Sequence, residues 1–170
     1  MGIEVAAAAT LRPPLLSNGK GLPGMTIRLA VRAVIVEEGR LLLVNAYPGE
    51  ESALWCAPGG GVEKHSSLAD NLVREVYEET GLTVEVGAPC LVNEFHSEAS
   101  GFHQVDMFFR CRVREGALSD DWQDPEAVVN RRRFFTQAEL AGIDLKPDSL
   151  PQVAFGRGFR YDPLEELVKP

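Results

Sequence analysis

The chain has 170 residues, enough for one domain and too few for two with separate cores. Its 45% hydrophobic and 25% charged residues exclude a disordered or collagen-like polymer. Twenty-five acidic against seventeen basic residues give a net charge of −8, which argues against binding to nucleic acid or an anionic membrane. An anionic small molecule fits only where a cation is held between it and the protein.

Met1–Gly24 is rich in Ala, Pro and Gly without a sustained period and reads as a flexible N-terminal extension. The domain proper is expected over residues 25–145, with a tail over 146–170. Met1–Thr10 has no basic leader before its alanines, and no apolar run approaches the roughly 20 residues of a membrane span. Cys56, Cys90 and Cys111 are odd in number and lack a C-x-x-C spacing, so they read as free thiols in a reducing compartment. The expectation is a soluble, cytoplasmic protein; a homodimer is left open.

Ile27–Val36 and Arg40–Val44 are apolar runs joined by Glu37-Glu38-Gly39, a hairpin signal. Ala53–Ala57 is a short strand stopped by Pro58. A helix is expected from about Ser67 to Thr80, ended by Gly81. Leu82–Val86 and Cys90–His96 read as extended. In Phe102–Val113 the odd residues His103, Val105, Met107, Phe109, Cys111 and Val113 share one face, and Phe102 and Phe108 share the other. With both faces apolar, this strand is expected to be central. Ala127–Phe135 leads to a short helix with Thr136 and Glu139 at capping-box spacing. The tail shows one helix-like patch around Leu164–Val168. Strands and helices mix rather than alternate, which predicts an α+β fold with a mixed sheet.

The segment that carries chemistry is Gly60–Leu82. Ala69, Leu72, Val73 and Val76 fall on one helical stripe, and Glu75, Glu78 and Glu79 at i, i+3 and i+4 form a carboxylate patch at its edge. Half-desolvated like charges raise one another's pKa, and a hard divalent cation such as Mg2+ removes the conflict. The preceding triple glycine lets backbone amides approach a phosphate. A solvated charged face is the competing reading, but the carboxylates crowd the core edge.

Gly60, Arg74-Glu75-Val76, Glu78-Glu79 and Gly81-Leu82 resemble the Nudix box, G-x5-E-x7-R-E-U-x-E-E-x-G-U with U aliphatic. Eight of the nine specified positions match, on the order of one chance in 10⁵ or rarer from background composition. The resemblance runs from about Met25 to Leu140. It implies a Nudix α/β/α sandwich that hydrolyses a nucleoside diphosphate linked to another moiety, with Mg2+ or Mn2+ as cofactor. It places the metal on Glu75, Glu78, Glu79 and Gly60, gives Glu75 a share in activating water, and makes Arg74 the fork that orients the glutamates.

One box position departs: Ser66 stands where the pattern has glutamate. The missing carboxylate, which in the family supports the arginine, weakens the site; Glu63 in the same loop is a candidate for its place. Ser66→Glu is therefore expected to lower half-saturating Mg2+, unless another group already does the work. Glu126 is the first candidate for an additional loop base, followed by Glu94 and Glu98. Arg28 and Arg32 share a strand face and are candidates for substrate phosphates, and Trp122 for stacking on a base. The alternative to a hydrolase is a degenerate Nudix module that binds a nucleotide as a sensor without cleaving it.

Overall fold

The computed structural model describes residues 26–168; the expected N-terminal extension lies outside them. Nine strands build one mixed sheet. β1 (Arg28–Glu37) and β2 (Arg40–Asn45) form the expected hairpin, turning through Glu38 and Gly39. β3 (Trp55–Cys56) extends β2, and β4 (Gly59–Gly61) lies antiparallel to the start of β1. Helix α1 (Leu68–Thr80) follows, then β5 (Thr83–Ser97) and β6 (Phe102–Glu115). β7 (Arg132–Thr136) pairs with β2 and runs into the short helix α2 (Gln137–Leu140). Helix α3 (Leu150–Phe155), β8 (Arg160–Tyr161) and β9 (Glu165–Glu166) complete the described chain.

β6 is central as expected, parallel to β1 on one side and antiparallel to β5 on the other. Alternation along β1 divides the interior into two apolar layers. Val31, Ala33 and Ile35 meet Leu72 and Val76 of α1. Val34 meets Leu140 of α2 and Leu150 and Val153 of α3 on the opposite face. Helices thus cover both faces, giving the α/β/α sandwich that the family resemblance implies.

Helix α1 begins where the Ser67 side chain accepts the Asp70 amide at 3.0 Å and ends on Gly81, whose φ is 74°. The capping box at α2 closes on both its hydrogen bonds: the Glu139 amide donates to Thr136 Oγ1, and the Thr136 amide donates to Glu139 Oε2.

Three expectations change. The two extended segments after α1 are a single strand, β5, whose register shifts around Pro89 absorb Gly87–Pro89 as a bulge. Leu164–Val168 is not helical: β9 lies along β5, and the Leu167 amide donates to His96 O at 2.8 Å, so the open edge of β5 satisfies the backbone that a helix would have satisfied internally. The segment expected as a tail from residue 146 contributes Leu150, Val153 and Ala154 to the main core. Among the described residues no helix is long and apolar enough to cross a membrane.

Candidate active site

The site is built where β4 passes the C-terminal half of α1. Gly59 has φ 139°, and a Cβ there would stand 2.1 Å from Val31 O, so only glycine fits. That close approach lets the Gly59 amide donate to Glu79 Oε2 at 2.8 Å, tying strand to helix. Gly60 lies opposite Val31 in the same ladder.

Helix α1 is rolled relative to the expected apolar stripe. Ala69 is exposed, whereas Asn71, Glu75 and Glu79, spaced four apart, face inward beside Leu72 and Val76. Polar side chains enter a buried row only with partners. Glu79 is 2% exposed; among the described residues its Oε1 has no hydrogen-bond partner. Burial raises its pKa well above the carboxylate range, and the Arg32 charge and the Gly59 amide offset this only in part. Glu75, 7% exposed, is also raised by burial, opposed by Arg74. Arg74 donates to Glu75 Oε1 at 2.8 Å and to Glu78 Oε2 at 3.0 Å, so one guanidinium fixes two of the three carboxylates.

Glu126 comes close enough for its charge to act on Glu75 and Arg28. Its loop is pinned by Asp124, whose carboxylate accepts the amides of Glu126, Val128 and Val129 at 2.8 to 3.0 Å. Sequence reasoning does not single out Asp124, although Asp followed by Pro and a turn is the available signal. Glu94 lies elsewhere, against Tyr161 Oη at 2.6 Å and His103, and Glu98 sits in the turn after β5.

The two arginines of β1 have different fates. Arg28 reaches Gln104, and its pKa is pushed down to about 10 by burial and by Arg32, while the charges of Asp106, Glu75 and Glu126 pull it back up. Arg32, expected against substrate phosphates, is 3% exposed. It donates to Asp106 Oδ1 at 3.3 Å and to Gly59 O at 2.9 Å, so it supports β4 from beneath instead of facing solvent. Burial lowers its pKa, but Asp106 and other nearby negative groups outweigh burial and raise it. Trp122 is not presented as a stacking platform. Its indole lies on Gly81, meets Tyr77 edge-on at 5.1 Å, and donates Nε1–H to Glu78 O at 2.9 Å. Burial pushes the Cys56 thiol up to about 12, which makes it a poor nucleophile.

A small cavity of about 60 Å3 opens beside Arg32 and Ala57 and is lined by Tyr47, Cys56, Asn93 and Phe108. Residues 165–168 form its outer wall, held by Asn93 Nδ2 to Glu165 at 2.9 Å and by Tyr47 Oη on Val168 O.

The donor set suits a hard cation. Among the described residues no three His, Cys, Asp or Glu side chains are grouped to hold a metal, and Arg74 is paired with both Glu75 and Glu78. Glu79 Oε1 is nonetheless a buried carboxylate oxygen without a donor, a group that a divalent ion with oxygen ligands and water would satisfy.

A NUDIX domain profile matches residues 26–154. The chain belongs to the NUDIX domain family. A mouse protein, nucleoside diphosphate-linked moiety X motif 6, is 30% identical over 167 residues, covering 85% of this chain and 51% of its own length. The human protein of that name is 28% identical over 122 residues, and the match covers 36% of it, so the chain spans about a third to a half of these relatives. Among solved structures, a UDP-X diphosphatase superposes with TM-score 0.63 at 25% identity, covering 82% of this chain and 68% of that one. An ADP-ribose pyrophosphatase from Streptococcus suis gives TM-score 0.57 at 26% identity, covering 80% and 98%.

Proposed function

We propose that the chain is a Mg2+-dependent hydrolase, with Mn2+ as substitute, that splits the diphosphate bridge of a nucleoside diphosphate linked to another moiety. The buried, unpartnered Oε1 of Glu79 carries this reading, because a carboxylate is worth keeping there only against a cation. Glu75, Glu78, Glu79 and the Gly60 carbonyl would hold the ion. When bound, it neutralises phosphate oxygens and lowers the pKa of water.

The rest falls to the chain's own groups. Arg74 sets the directions of Glu75 and Glu78. Glu126, on a loop pinned by Asp124, accepts the proton of the attacking water. Arg28, close enough to feel the charges of Glu75 and Glu126, supplies positive charge for a bridging phosphate. Positioning and charge stabilisation suffice for attack on phosphorus. The relatives named for ADP-ribose and UDP-linked substrates make such compounds the first to test.

Phosphate or nucleotide release from a panel of nucleoside diphosphate derivatives should require Mg2+ or Mn2+ and vanish in EDTA. Full turnover in chelator would overturn the metal assignment. Tight binding of a panel member with no cleavage under any metal would return the non-hydrolysing module.

A further inference from the structure

The loop before α1 lacks the carboxylate that the box pattern puts at position 66: Ser66 is exposed, and its carbonyl is drawn inward instead. What fills the interior is Asn71, 1% exposed, at a position the pattern leaves unspecified. Its Nδ2 donates to Ser67 O at 2.8 Å and Ser66 O at 3.3 Å. Its Oδ1 accepts the Glu63 amide at 2.9 Å and Arg74 Nη2 at 3.4 Å. The amide orientation has no alternative, because a backbone N–H facing the side chain requires an oxygen and the two carbonyls require the NH2 group. The oxygen is thereby forced toward Arg74. The Glu63 carboxylate stands 3.9 Å from the same Nη2.

We propose that Asn71, assisted by Glu63, is the positioning residue that seats Arg74 in place of the absent carboxylate at 66. This rests on the reading of the box as the catalytic site. Arg74 Nη2 is shared between Asn71 and Glu75, so the side chain that fixes the loop also fixes the direction in which the guanidinium presents Glu75. Neutral Asn71 achieves this without adding a fifth negative charge to Glu63, Glu75, Glu78 and Glu79. The consequence is epistasis: a carboxylate restored at position 66 has no vacant role while Asn71 is present, and acquires one when Asn71 is gone.

The test compares Asn71→Ala, Ser66→Glu and the double variant on the best substrate of the panel. Ser66→Glu alone should change kcat and half-saturating Mg2+ by less than about twofold. Asn71→Ala should lower kcat by about tenfold with KM little changed, the scale of a misplaced catalytic group. The double variant should recover most of that loss. Independently of turnover, the Arg74 guanidinium N–H signals in NMR should be sharp in the wild type, broadened by Asn71→Ala and sharp again in the double variant. Unchanged kcat in Asn71→Ala, or a double variant no better than Asn71→Ala, overturns the proposal. Should Asn71→Ala fail to fold, exposed Glu63→Gln decides: a drop in kcat of about threefold at constant Tm supports the assignment, and unchanged kcat overturns it. A wild type inactive on the whole panel, with sharp Arg74 signals, would instead count against the hydrolase reading and leave the seating of Arg74 standing.

Discussion

Glu79→Gln should leave the protein folded, with a Tm in the absence of metal equal to or above the wild type at pH 8, while kcat in Mg2+ falls by about 10²-fold or more. The amide keeps the shape of the carboxylate and an oxygen for the Gly59 N–H, and removes a charge that burial already disfavours. The sign of the pH dependence follows from the raised pKa. Folding favours the neutral carboxyl, so its stabilising contribution is full below the unfolded carboxylate range and is lost as pH climbs through the higher folded value. Metal-free wild type should therefore lose stability between mildly acidic and alkaline pH, and Glu79→Gln should lose less. Thermal melts from pH 5 to 9 and kcat on the same preparations decide it. Unchanged kcat and an unchanged pH slope would make Glu79 a bystander.

Asp106→Ala should destabilise the fold more than any of the substitutions on α1 or its preceding loop. It leaves the Arg32 guanidinium buried without its carboxylate and removes the acceptor of Gln104 Nε2 at 2.9 Å. Breaking a buried pair on one side costs about 3 to 5 kcal/mol. At about 2 to 4 °C per kcal/mol for a chain of this size, Tm should fall by roughly 10 °C. Replacing both partners, as Arg32→Leu with Asp106→Leu, should recover much of the loss, because no uncompensated charge remains. A Tm within about 2 °C of wild type for Asp106→Ala, less than 1 kcal/mol on that scale, would show that water reaches Arg32 and solvates it.

Local signals were legible where the chemistry is local. The hairpin turn at Glu38-Gly39, the caps of α1 and the capping box at α2 are each set by side chains within a few residues of the backbone they satisfy. The grouping of Glu75, Glu78 and Glu79 in one patch follows from helical spacing; their assignment to a box follows from the family resemblance. The burial of Arg32 was not legible, because its partner Asp106 lies 74 residues away and meets it only through the parallel pairing of β1 with β6. The same pairing brings Gln104 and Asp106, polar residues on the even face of β6, into the interior. The roll of α1 was hidden for a related reason. Glu79 and Asn71 turn inward to meet groups on β4 and the preceding loop, and an apolar-stripe argument counts neither. The packing of Trp122 was equally hidden, because its loop is polar while its N–H is spent on a carbonyl at the end of the helix.

The contact between Gly59 and Glu79 makes the chain its own indicator. One backbone proton points at the carboxylate on which the chemistry is proposed to depend, at 2.8 Å between heavy atoms, and a glycine amide there cannot be moved by side-chain repacking of its own residue. Its proton resonance should lie downfield while that oxygen is charged and move upfield as the oxygen is protonated or shares its lone pairs with an ion. A single cross-peak in a nitrogen–proton spectrum can then follow titration and ion loading in the unmodified protein, with no substrate, label or dye.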